Sequence, residues 1–292
     1  MVVVLKKIIP CSVTVLYHPD VSAWENIRSY IKEFEILYLI DNSERTTIVP
    51  DDILYNKKIK YISLGDNYGM GYALNKGAQM ALDNGCIWLA TFDQDSKPKA
   101  DMIQIIKNYI LANNTSDKGI ISPAHSSIVS QNQDLSGEES EEIYVMTSGN
   151  FLNLPVYQEV GPFEEDYFID FIDIEYCLRL KSKGYKVVRI KSAILEHKLG
   201  ETRDTGIMGY VFPHRKKIFQ HNAIRTYYIT RNRFYCMDKY KNIFPEYTGQ
   251  SGFGWKILAK LVLFEDNKIK KILNTVRGYL DYKRGRMGKY PY

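Results

Sequence analysis

The first ninety or so residues alternate between two hydrophobic periods. Val13, Thr14 and Val15 sit in a β-branched run, Cys11–Tyr17, that predicts a first strand. Trp24, Ile27, Tyr30, Ile31 and Phe34 then recur at three-and-four spacing, which predicts an amphipathic helix over 22–34. Ile36–Ile40 is apolar throughout, as expected of a strand buried on both faces of a parallel sheet. Ile59–Leu64 predicts a third strand and Ile87–Phe92 a fourth, with a helix between them carrying Ala78, Met80, Ala81 and Leu82. This repeated β–α order argues for a doubly wound, mostly parallel α/β sheet, in which ligands bind outside the carboxyl ends of the strands. Tyr17, Asp41, Asn67 and the pair Asp93/Asp95 all fall at those ends.

The pattern continues with a helix over Asp101–Leu111 and a strand at Gly119–Pro123. Residues 126–142 are polar, end in the acidic cluster Glu138-Glu139-Ser140-Glu141-Glu142, and read as a solvated loop or hairpin. Tyr144–Leu154 is strand-like but interrupted by Ser148-Gly149-Asn150, and a glycine there marks close approach of a ligand or another backbone. A helix over Ile174–Lys183, a strand at Lys186–Ile190 and a further strand ending near His197 follow.

Composition adds little to this picture. The 292 residues are 45% hydrophobic and 25% charged, enough for a substantial globular core. The widely separated Cys11, Cys86, Cys177 and Cys236 lack metal-ligand spacing and read as reduced core thiols. No apolar run reaches the ~18 residues that span a bilayer. The charge, however, is unevenly placed: from Trp255 onward ten Lys/Arg face three Asp/Glu, +7, which leaves −2 for the remainder of a chain of net +5. In that tail Ile269, Ile272, Leu273, Val276 and Leu280 recur at helical spacing between basic residues. Such a helix suits an anionic lipid surface, and equally suits docking on the rest of the chain or a homodimer contact. No nucleic-acid reading module accompanies the charge.

The candidate chemistry centres on Thr91-Phe92-Asp93-Gln94-Asp95-Ser96. Two carboxylates one residue apart repel unless a cation lies between them, and oxygen ligands favour Mg2+ or Mn2+. A polar strand-to-turn corner is the simpler alternative, with Pro98 ending the strand. Asp173 lies near a helix start, where N-capping competes with catalysis. The glycines of the 69–77 segment lack the position and spacing of a dinucleotide fingerprint, and serve either helix packing or phosphate contact.

In their order and spacing, these stretches resemble the family 2 inverting glycosyltransferases of the GT-A fold, from about Ser12 to Asn232. Asp-Gln-Asp-Ser at 93–96, Phe-Ile-Asp-Phe-Ile-Asp-Ile-Glu at 168–175 and His-Lys-Leu-Gly at 197–200 resemble the bacterial rhamnosyltransferase branch, which uses dTDP-L-rhamnose for O-antigen or capsular polysaccharide. The resemblance implies a GT-A catalytic domain over 1–232, with a nucleotide-sugar half to about 98 and an acceptor half beyond it, and a basic helical region over 233–292. It implies Asp173 as catalytic base and Asp93, Asp95 and His197 around the metal. Tyr17, Asp41, Asn67, Gly71, Asn75, Asp93, Gln94, Arg231 and Asn232 would meet the nucleotide-sugar, with Arg231-Asn232 at the diphosphate. Ser148, Gly149, Asn150 and Asp170 would meet a saccharide or lipid-linked acceptor. The implied setting is the cytoplasm, at the inner face of the membrane.

Two positions depart from the family pattern: Ile172 stands where many members place Glu before the catalytic Asp, and Leu74 where many place Arg. A UDP-hexose donor is the nearest alternative. A nucleotidyltransferase would need a glycine- and base-rich loop after the first strand, where this chain has Tyr17-His18-Pro19-Asp20.

Overall fold

Val13 and Thr14 show how the sheet is layered. The Val13 side chain meets Gly77 of helix α3 (Met70–Asp83) on one face. The Thr14 hydroxyl reaches Tyr30 of helix α1 (Val21–Tyr30) at 2.8 Å on the other. Adjacent residues of β1 (Pro10–Leu16) thus serve opposite layers, as the two-residue strand period requires. The computed structural model describes residues 10–126, 138–197, 202–204, 217–219, 222–250 and 267–292.

Strands β2 (Ile36–Asp41), β3 (Ile59–Ser63) and β4 (Trp88–Asp93) join β1 in parallel, in the order β3-β2-β1-β4. Beyond β4 the sheet becomes mixed. β8 (Phe151–Asn153) pairs antiparallel with β4 and with β6 (Lys118–His125), and β6 runs parallel to β9 (Lys186–His197). Two short strands flank β9 antiparallel, β5 (Ser96–Pro98) and β7 (Glu139–Glu141). Helix α1 and helix α4 (Met102–Ala112) close one face with Trp24, Ile27, Met102 and Ile106 around Phe34 and Phe92. Tyr30 stacks on Phe92 with centroids 4.5 Å apart. Each such buried side chain contributes about 1.5–3 kcal/mol.

Several expectations are revised. The strand that carries the candidate carboxylates ends at Asp93, before Pro98: the backbone turns at Gln94–Asp95 and re-enters as the edge strand β5, whose last residue is Pro98. Lys186–Ile190 and the stretch near His197 are one strand, not two. Only Phe151–Asn153 of the segment 144–154 is strand, and the chain then turns into helix α5 (Leu154–Val160), capped by Asn153. The acidic cluster contributes β7, because cations answer its charge. Lys181 pairs with Glu141, and Arg189 with Glu142 at 3.0 Å. Cys11 and Cys86 are not reduced thiols: they form a disulfide, brought within reach because β1 pairs with β4. Cys177 is buried, which pushes its thiol up to about 12, and Cys236 is buried as well.

The chain forms two compact units. The sheet-bearing unit takes residues 1–165 and 173–198; the second takes 166–172 and 199–292. Besides α2 (Asp51–Leu54), the first unit includes helix α6 (Ile172–Ser182), whose first residue groups with the second unit. In the second unit, helix α7 (Ala223–Tyr240) lies against helix α9 (Lys268–Lys283), with the short α8 (Pro245–Gln250) and the β10–β11 pair (Thr202–Asp204, Lys217–Phe219). Among the described residues no helix is long and apolar enough to cross a membrane.

Candidate active site at the carboxyl edge of the sheet

Strand register brings the sequence-separated candidates to one edge. Leu16 lies opposite Asp41, Asp41 opposite Ser63, and Val15 opposite Asp93. Asp41 and Asp93 therefore flank the end of β1, one strand spacing (~4.8 Å) to either side.

Asp41 is fully buried and its oxygens are engaged. Oδ1 accepts from the Ser43 amide and hydroxyl at 3.1 and 2.5 Å, and Oδ2 accepts from the Tyr61 hydroxyl at 2.6 Å. Burial and this carboxylate push the Tyr61 phenol up to about 12. Asn67 Oδ1 accepts from Asn42 Nδ2 and the Gly69 amide, both at 3.0 Å, which folds the β3–α3 loop beside β2. Tyr17 and Tyr68 are both exposed at this edge, 45% and 48%, as aromatic surfaces open to a ligand. Sequence reasoning passed over His18, Glu44 and Tyr68. His18 Nε2 lies 3.0 Å from Glu44 Oε2, and the Tyr17 hydroxyl donates to Glu44 Oε1 at 3.4 Å. Their signal in the sequence was position, since each lies in a loop that follows a strand end.

Gln94 clips β4 to β1 through both backbone groups of Tyr17, and Asn26 Nδ2 donates to its carbonyl at 3.0 Å. On either side of it, Asp93 is half-buried and Asp95 exposed. Antiparallel pairing of β5 and β9 sets the His197 backbone opposite Ser96, the residue after Asp95. Asp93 and Asp95 at one turn are oxygen ligands of the kind a divalent ion favours. Among the described residues, no group of three or more acidic, histidine or cysteine side chains is arranged to hold a metal.

Asp173 is the second residue of its helix. It lies inside the first turn of α6, where the positive end of the helix favours a carboxylate, and its Oδ1 accepts from the Ile174 amide at 2.9 Å. Half-buried, it lines a cavity of about 10 Å3 with Thr91, Asn150 and Tyr176. Thr91 and Asp93 are two apart on β4 and so share a face, which puts Asp173 on the Asp93 side of the sheet.

Other candidates hold the fold together. Asn75 Oδ1 accepts from Tyr157 and the Phe163 amide, and its Nδ2 donates to Phe163 O and Glu165, so the side chain is wholly engaged in pinning α3 to the 163–165 loop. A Cβ on Gly71 would stand 2.9 Å from the Glu164 carbonyl, so this glycine serves helix packing. Ser148 Oγ accepts from the Asp93 amide at 3.0 Å and donates to Ser96 at 2.6 Å. Gly149 has φ +83° and packs on Pro123 and Leu195, while the Asn150 carbonyl accepts from the Thr91 amide. These contacts fasten β4, while Asn150 Oδ1 is buried without a hydrogen-bond partner and Asn150 lines the cavity beside Asp173.

In the second unit Asp170 is held by Arg225, with oxygen–nitrogen distances of 2.6 and 3.2 Å. Arg231 and Asn232 are fully buried there, not presented to a diphosphate. The Arg231 guanidinium donates to the carbonyls of Asp166, Tyr167 and Gly288, and Asn232 Nδ2 to those of Tyr167, Ile169 and Asp170. They brace a loop in which Phe168, Asp170 and Phe171 all have positive φ, a strain of about 1–3 kcal/mol per residue.

Residues 22–149 match the model of glycosyl transferase family 2. That segment is similar to the family 2 glycosyltransferases. The chain is 25% identical over 293 residues, 95% of its own length and 96% of the other, to the dTDP-rhamnosyl transferase RfbF of Shigella flexneri. Its fold is similar to that of S. aureus TarS 1–349, with TM-score 0.53 and 11% identity over 95% of this chain and 92% of that one. The same TarS fragment with UDP gives TM-score 0.51 at 10% identity over 97% and 94%. GalNAc-T7 with UDP, GalNAc and Mn2+ gives TM-score 0.51 at 11% identity over 65% of this chain, which spans less than half, 44%, of that longer protein. These likenesses show the fold alone: a mixed α/β sheet with helices, similar to that of GT-A glycosyltransferases such as TarS.

Proposed function

We propose that the protein transfers L-rhamnose from dTDP-L-rhamnose, with inversion, to a saccharide acceptor carried on a lipid in bacterial surface polysaccharide synthesis. The observation that carries the donor assignment is the end-to-end similarity to a dTDP-rhamnosyl transferase, which extends well past the family domain at 22–149.

The nucleotide would lie along the carboxyl edge, against Tyr17 and Asn67, with Asp41 beneath it. Asp93, Asp95 and His197 would hold Mg2+ or Mn2+. When bound, that ion supplies positive charge to a nucleoside diphosphate leaving group. Asp173 would take the proton of the acceptor hydroxyl as its oxygen bonds to the anomeric carbon. The bond from that carbon to the diphosphate breaks in the same step, and the electron pair leaves with dTDP. A half-buried carboxylate within hydrogen-bond reach of the acceptor hydroxyl can serve as its general base.

A donor panel tests the assignment, measuring release of dTDP, UDP or GDP from the corresponding sugar nucleotides with Mn2+ or Mg2+. Release of dTDP from dTDP-L-rhamnose is the expected result. Release from UDP-hexoses alone would overturn the rhamnose donor and leave the glycosyltransferase standing.

A further inference from the structure

Helix α9 is inside out for a helix of a water-soluble fold. Its buried face is polar: Lys271, Asn274, Thr275, Gly278 and Asp281 turn toward the interior of the second unit. Its apolar residues face out, with Ile269 76%, Leu273 50%, Val276 47% and Leu280 41% exposed. Hydrogen bonds fix this orientation. Asn274 Nδ2 donates to Ala223 O at 2.9 Å, and the carboxylate of Asp281 accepts from the hydroxyls of Tyr227 and Tyr292 at 2.9 and 3.0 Å. Rolling the helix to hide the stripe would bury no equivalent partners for these groups, so the apolar side stays outward. A contiguous exposed apolar stripe marks a surface made to meet something.

Charge decides what that something is. At 100° per residue, Lys270, Arg277 and Arg284 follow one flank of the stripe and Lys283 the other, all four exposed. Asp281 is the helix's single acid, and it is buried. The four-three-four spacing of the apolar residues is that of a coiled-coil seam, so a second copy must be weighed. A second copy would bring the same cations and no exposed acid from this helix, setting like charges together across the seam. An anionic bilayer offers both matching parts: phosphates for the flanks and acyl chains for the stripe.

We infer that the exposed face of α9 is a docking surface for anionic membrane lipid, with Ile269, Leu273, Val276 and Leu280 inserted and Lys270, Arg277, Arg284 and Lys283 on the headgroups. The assignment is independent of which sugar the enzyme transfers.

The test is co-sedimentation of the full chain with phosphatidylcholine vesicles, with and without phosphatidylglycerol. Wild type should sediment with the anionic vesicles only and be released by raised salt. Leu273→Ser/Val276→Ser and, separately, Lys270→Gln/Lys283→Gln should each weaken this binding by about tenfold or more, with unchanged melting temperatures. No sedimentation with anionic vesicles overturns the inference, as does wild-type binding by both variants. A dimer by light scattering that Leu273→Ser/Val276→Ser converts to monomer would assign the face to a second copy. A large fall in that variant's melting temperature would show that the chain itself covers the stripe, which also overturns it.

Discussion

Gln94 holds both backbone groups of Tyr17: its Oε1 accepts from the Tyr17 amide at 2.8 Å and its Nε2 donates to the Tyr17 carbonyl at 3.1 Å. The residue between the two candidate metal carboxylates thus ties the end of β4 to the end of β1. Gln94→Glu keeps the first bond and sets a carboxylate oxygen against the carbonyl. It is expected to lower stability by about 1–2 kcal/mol and to weaken nucleoside diphosphate binding severalfold, because the two carboxylates lose their common frame. Denaturant unfolding and calorimetric titration with dTDP check both effects.

Tyr61→Phe leaves Asp41 Oδ2 buried without its donor and should cost about 1–3 kcal/mol. The folded phenol ionises at about 12, above the ~10 of an unfolded tyrosine. Protonated Tyr61 is therefore the form that folding favours. Its contribution is complete below pH ~10 and disappears as pH rises through about 12. Wild type should lose stability more steeply than Tyr61→Phe across that window in a pH series of urea melts.

Asp173→Asn should lower turnover by about 100-fold or more while the protein stays folded and binds dTDP as wild type does. Near-wild-type turnover in a folded Asp173→Asn protein would remove this residue as the base.

Arg231→Met should destabilise the second unit by about 3 kcal/mol or more, since the carbonyls of Asp166, Tyr167 and Gly288 lose a charged donor and the strained loop loses its brace. Under conditions where it is folded, its affinity for dTDP should match wild type. A selective loss of dTDP affinity without loss of stability would restore Arg231 to the diphosphate.

Chelation should abolish turnover, and Mn2+ or Mg2+ should restore it. Asp95→Asn and Asp93→Asn should each raise the metal concentration needed for half-maximal activity by about tenfold, because each removes one anionic oxygen ligand. Full activity in chelator would show that cations of the protein itself carry the leaving group.

Much of the sheet was legible because its signal is local. An all-apolar run such as Ile36–Ile40 reports burial on both faces, and a polar residue straight after it marks a strand end. That is how Tyr17, Asp41 and Asp93 could be placed at one edge from the sequence, and the register bears out the convergence. The less legible half lies beyond β4. There, short strands such as β5, β7 and β8 exist only through their partners, so three residues carry no period to read. The Glu138–Glu142 cluster looked solvated because Lys181 and Arg189, which answer it, are distant in sequence.

By itself the sequence determined the alternation of strands and helices, the polar strand ends and the presence of Asp93, Asp95 and Asp173 in their order. Those depend on what each residue is and on its near neighbours. Tertiary structure decided which polar groups remain available. Asn75, Ser148, Arg231 and Asn232 resemble ligand contacts in sequence, yet each commits its donors and acceptors to the fold, because a buried polar group left unpaired is strongly destabilising. The same constraint turned α9 around: Asp281 and Asn274 found partners inside, so Leu273 and Val276 were left facing out.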